Sequence, residues 1–105
     1  MNPTDARSRA AFSPEKMKKE NLFDSPRMFL DVHGLLPGQA QKVHVHDDAD
    51  KVVHCLAGEG VVTIGDAEHP IRPGEVTVFP AGLAHGVRND GAEKLVLLVM
   101  MTRPA

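Results

Sequence analysis

From Pro26 onward the chain is cut into short apolar stretches by turn signals, one roughly every eight to twelve residues. That rhythm constrains the fold more than any other feature. RMFLDVHGLL (27–36) ends at Pro37-Gly38, and QKVHVH (41–46) ends at the polar run DDAD. KVVHCLAG (51–58) is closed by GEG, while GVVTIG (60–65) and HPIR (69–72) flank a hairpin-like GDAE. EVTVFP (75–80) alternates up to Pro80, and HGVRN (85–89) and KLVLLVMM (94–101) bracket DGAE. Eight short strands with almost no helical periodicity predict an all-β sandwich or barrel.

The first 26 residues differ. Residues 1–12 read as a loose polar arm. SPEKMKKEN (13–21) carries Ser13 as a candidate N-cap, Pro14 at the first helical position, Glu15 in the first turn and Asn21 as a stop, which predicts one or two turns of helix. The expected organisation is an arm with a short helix over 1–26 and a single barrel over 27–105. A chain of 105 residues holds one core, not two. A net charge of −2 offers no electrostatic grip on nucleic acid or on a membrane surface. The longest apolar run, LVLLVMM, is too short to span a bilayer, and MNPTDARSRAAF lacks the apolar centre of a signal peptide. With one cysteine, Cys55, no internal disulfide forms, and a cytoplasmic location is expected. There is no Tyr, so no phenol serves as acid, base or radical partner.

Chemistry concentrates in the histidines. On a strand, His44 and His46 project from the same face, about 6.5–7 Å apart at Cα, and can converge on one ion through bonds of about 2.0–2.1 Å. On a helix they would diverge. A third histidine, His85, follows the Pro80-Ala81-Gly82 turn at the head of another strand.

Here the chain resembles the cupin superfamily, in its small single-domain group. That family's first motif, Gly-x5-His-x-His-x(3 or 4)-Glu-x6-Gly, is matched by Gly38, His44, His46 and Gly58. The second, Gly-x5-Pro-x-Gly-x2-His-x3-Asn, is matched by Gly74, Pro80, Gly82, His85 and Asn89. The resemblance implies a jelly-roll β-barrel with one divalent metal ion (Fe, Ni, Zn, Cu or Mn) held by His44, His46 and His85. It also implies a pocket lined by residues such as Leu30, Val53, Cys55 and Phe79.

One position departs from the pattern: Lys51 stands where the family has its glutamate ligand. Three readings follow. The metal is held by three histidines alone, leaving its +2 charge uncompensated and open positions for an anionic ligand. Alternatively a β-bulge swings Asp50 into the glutamate's place as a fourth ligand. Or Lys51 takes the metal's place as a fixed cation, since a charged ammonium beside a divalent ion is strongly disfavoured; a neutral Lys51 would be a candidate catalytic base.

The remaining candidates have plainer roles. By strand parity His54 faces away from Lys51, Val53 and Cys55. His33 reads as structural, His69 as solvated, and Cys55 as a small buried apolar group. Asn89 ties its strand to a neighbouring turn, and Gly58, Gly60, Gly74 and Gly82 serve turns needing unusual φ. The functional expectation is metal-dependent action on a small organic molecule, with dioxygenase-like chemistry leading and non-catalytic binding of a metal or small ligand as the alternative. KVVHCL and LVLLVMM are apolar on both faces, which predicts a C2 homodimer through outer sheet faces.

Overall fold

The computed structural model describes residues 1–104 and has nine strands in two antiparallel sheets. β1 (Lys18–Asp24), β2 (Met28–Leu35), β4 (Lys51–Ala57), β7 (Val76–Phe79) and β9 (Leu95–Thr102) form one, in the order β1-β2-β9-β4-β7. β3 (Ala40–His44), β5 (Gly60–Ile64), β6 (Ala67–Ile71) and β8 (His85–Arg88) form the other, in the order β3-β8-β5-β6. This is the expected all-β jelly roll.

Alternation along the strands sets the two faces of each sheet. Val53, Cys55, Leu97 and Val99 from the first sheet meet Val62 and Val87 from the second in a closed apolar core. His54 and Val52 lie on the opposite side of β4, as parity predicts. Leu30 is a correction: it pairs with Met100 on the outer face, while Phe29, Asp31 and His33 of β2 point inward opposite Met101, Val99 and Leu97.

The N-terminal region departs most from expectation. Residues 13–21 contain no helix; instead Lys18–Asp24 is β1, paired with β2 from Lys18↔Gly34 to Asp24↔Phe29. The capping signal is real but brief. The Ser13 hydroxyl accepts from the Glu15 N–H at 3.3 Å and turns the chain through a bend, after which pairing with β2 supplies backbone hydrogen bonds that an isolated short helix could not match. The only helical turn among the described residues is 3-10, at Arg7–Arg9. Nor is the arm loose. A Cβ on Gly34 would lie 2.2 Å from the Ala11 carbonyl oxygen and 2.9 Å from the Phe12 ring, so the arm packs directly on β2.

Gly58 has φ +75°, and a Cβ there would also meet the Lys94 carbonyl at 2.2 Å. Gly60 differs from expectation: it sits in β5 without positive φ, and its constraint is close approach to the Leu95 side chain. Asn89 is fully buried and works as anticipated. Its Nδ2 donates to the Leu35 and Glu93 carbonyls and its Oδ1 accepts from the Gly91 N–H. Asn89→Ala strands the buried Leu35 carbonyl, and chemical denaturation should register a loss of about 2–3 kcal/mol; an unchanged midpoint would remove Asn89 from the fold's supports.

His33 is 3% exposed, with Nδ1 lacking any partner. Burial first, then the positive charges of Lys51 and Lys19, hold its pKa down to about 3. The ring is therefore neutral, and its 3.9 Å approach to Asp31 is not an ion pair. The unfolded chain takes up this proton as pH falls through about 6.5, whereas the fold does not until about 3. Stability is thus lost on acidification across that window, by about 1.4 kcal/mol per pH unit from this group. Urea melts at pH 7 and pH 5 should show His33→Gln losing less stability than the parent over that interval; equal losses would contradict it.

Candidate metal centre

The two motif regions meet because β3 pairs with β8. His44 lies directly opposite His85, and the pairing is fastened at both ends. Gly38 and Asn89 anchor one end, with the Gly38 N–H donating to the Asn89 carbonyl at 2.8 Å and the Asn89 N–H donating to the Gln39 carbonyl at 2.9 Å. At the other, the Gly82 N–H donates to the His46 carbonyl at 2.8 Å. β3 ends at His44, two residues earlier than its alternation suggests, and the Gly82 contact holds His46 beyond the strand.

The result is a compact group. His44, His46 and His85 each offer a ring nitrogen, all within 4.8 Å of one another, and the group could hold a metal ion. Ring centroids are 4.6 Å apart for His44–His46, 4.3 Å for His44–His85 and 5.4 Å for His46–His85. Two rings are oriented from behind: His44 Nδ1 donates to the Lys42 carbonyl at 2.7 Å and His85 Nδ1 to the Leu83 carbonyl at 3.1 Å. That selects the tautomer with a lone pair on Nε2. Phe79 stacks on His85 at 4.6 Å between centroids and 17° between planes, which fixes the ring laterally.

The convergent nitrogens fit a cation. His85 Nε2 is buried without any hydrogen-bond partner, and the Nε2 atoms of His44 and His46 stand 2.9 Å apart. Burial foremost lowers the His85 pKa and outweighs its bond to Leu83, with Lys51 adding to the effect. The His46 pKa is lowered by desolvation first, then by His44 and Lys51. These rings favour the neutral state, the one in which imidazole binds metal.

Asp50 does not join the group. Its Oδ1 accepts from the Ala81 N–H at 2.9 Å, and its backbone N–H donates to Thr102 Oγ1. No bulge turns it inward; it braces the Pro80–Gly82 turn that carries His85. Lys51 does point inward. It is 4% exposed, across β4 from Phe79 and Met101, and its Nζ donates to Gln41 Oε1 at 2.7 Å. Burial, then Lys19, depresses its pKa to about 8, against the opposing pull of Asp31.

Gln41 is a site residue that alternation conceals. Strict period-2 reading puts it on the Val43 side, facing out. The β3–β8 register shifts between Gln41 and His44, so Gln41 pairs with the buried Val87 and shares the inner face with His44. Lys19 was hidden for another reason, since the segment containing it read as helix.

Known proteins agree with this architecture. The crystal structure of TT1209 from Thermus thermophilus superposes with a TM-score of 0.94 at 47% identity over the whole of both chains. An oxalate-binding protein from Thermotoga maritima is 28% identical over 81% of this chain and 69% of its own. A gentisate 1,2-dioxygenase from a Ralstonia species is 33% identical over 81% of this chain, which spans only 24% of that enzyme. Residues 31–101 match the cupin domain family, and the chain belongs to it.

Proposed function

We propose that His44, His46 and His85 hold one divalent metal ion through their Nε2 atoms, and that the protein uses it to act on a small organic molecule. The observation that carries this reading is the buried, unpartnered Nε2 of His85 beside the Nε2 atoms of His44 and His46. A buried polar atom without a partner is costly unless something fills the gap. Three neutral nitrogens suit Fe(II), Ni, Cu, Zn or Mn, and without a carboxylate the ion keeps its full charge and open positions. When bound, such an ion supplies Lewis acidity or a redox centre, with dioxygenase-like chemistry the leading version. The similarity to a gentisate dioxygenase over one cupin domain supports that version. The similarity to an oxalate-binding protein favours the alternative, a binder of a small ligand without turnover.

The chain's own part is to orient and to exclude water. Backbone carbonyls of Lys42 and Leu83 aim two rings, and Phe79 shields His85. Lys51, the candidate catalytic group, presents its amine from the barrel interior, where it attracts an anionic substrate.

Elemental analysis of protein purified without a nickel column should find one metal per chain. His44→Ala should abolish it, and Lys51→Glu should retain it longer against a chelator by restoring a carboxylate. Full metal content in His44→Ala would overturn the three-histidine site. Metal-dependent oxygen uptake across a panel of small enolic and aromatic acids separates the enzyme from the binder.

The outer face of the first sheet presents Val76 and Val78, 62% and 50% exposed, beside Val52, Leu98 and Met100. Covering this face is the role assigned to a second copy in a C2 homodimer. Sedimentation at micromolar concentration should give a dimer that Val78→Asp dissociates; a monomeric parent would refute it.

A further inference from the structure

A second basic site lies apart from the histidines. Between the N-terminal segment and β3, where the edges of the two sheets face each other, is a cavity of about 660 Å³. Its wall is Ser13, Lys16, Met17, Lys18, Lys19, Ala40 and Gln41, three lysines and no acidic side chain. The segment is held in place: Gln39 Nε2 donates to the Ser13 carbonyl at 2.7 Å, and Met17 packs against the core.

Exposed lysines on a flat surface usually do nothing more than stay hydrated. Here a buried charge stands behind them. Lys51, 4% exposed, has Gln41 Oε1 as the hydrogen-bond partner of its ammonium, and Gln41 is part of the cavity wall. Among the described residues, no carboxylate oxygen comes within 4.0 Å of Lys16, Lys18, Lys19 or Lys51. Lys19 lies on β1, directly across from the unpartnered His33. Three exposed lysines around one concavity, with Lys51 behind them offset only in part by Asp31, focus a field that concentrates anions. Ammonium groups grip carboxylate or phosphate oxygens as compact point charges with several donors each.

We infer that the cavity between residues 13–19 and β3 binds a small organic anion carrying at least two negative charges, gripped by Lys16, Lys18 and Lys19, with Lys51 behind Gln41 adding buried charge. The anion is a dicarboxylate or a phosphate ester; both share the recognised chemistry. The three gripping lysines lie outside the 31–101 cupin match, and the site does not depend on a metal. Through Gln41 and Lys51 it adjoins the histidine group, which gives a bound anion a route for coupling to that centre.

Amide NMR titration of the full chain with malonate and, separately, with inorganic phosphate tests this. Each titration is run on chelator-treated and on metal-loaded protein. The expected result is saturable shifts at residues 13–19 and 40–41 with at least one probe, in both metal states, weakening as salt is raised. Malonate alone identifies a dicarboxylate ligand, and phosphate alone a phosphorylated one. Lys16→Gln combined with Lys19→Gln should weaken binding at least tenfold. Non-saturating shifts with both probes overturn the proposal, as do shifts centred on His44, His46 and His85 that vanish without metal, or an affinity indifferent to the lysine substitutions. Loss of metal in His44→Ala with saturable anion binding intact separates this site from the metal centre.

Discussion

The antiparallel pairing of β3 with β8 is the contact on which the rest of the site depends. It sets His44 against His85 across two strands that lie far apart in the chain. Hydrogen bonds between Gly38 and Asn89 at one end, and between His46 and Gly82 at the other, hold the register. A slip of one residue would send His85 to the outside and leave the other rings without it. The turn residues of the two motifs therefore act on the chemistry indirectly, by fixing which strand faces lie together.

Around this pairing, the barrel interior is graded. Val53, Cys55, Leu97 and Val99 fill one part with apolar side chains, while Asp31, His33 and Lys51 bring polar groups into another. Buried polar groups reduce stability unless they find partners, and here some do while others do not. Asn21 Nδ2 donates to Asp31 at 2.8 Å, and Lys51 donates to Gln41. His33 and His85 each keep a ring nitrogen unsatisfied. Lys51 shapes this region electrostatically: its charge disfavours protonation of His33, His46 and His85 alike. Where the family pattern has a carboxylate that would neutralise a metal, this chain has a cation whose charge adds to burial in disfavouring protonation of His46 and His85.

Much of this was legible beforehand. Apolar alternation and turn spacing are local properties, and the strands from 27 to 101 emerged close to their expected positions. The spacing of His44, His46 and His85 within recognisable turns was equally local. β1 was not legible, because SPEK is a genuine helix-start signal; one turn of backbone satisfaction was outweighed by a full edge of hydrogen bonds to β2. Leu30 was misassigned because RMFLDVHGLL is apolar on both faces and offers no parity to read.

The sequence by itself determined that the chain is a β-barrel and that His44 and His85 stand at strand ends, since turn signals and apolar alternation are local. Tertiary structure decided what surrounds them. An irregularity between Gln41 and His44 turned Gln41 inward to meet Lys51, and pairing of β1 with β2 set the exposed Lys19 across from the buried His33. Such placements depend on register between strands far apart in the chain, and register is settled by the packing of both faces at once, which no local pattern encodes.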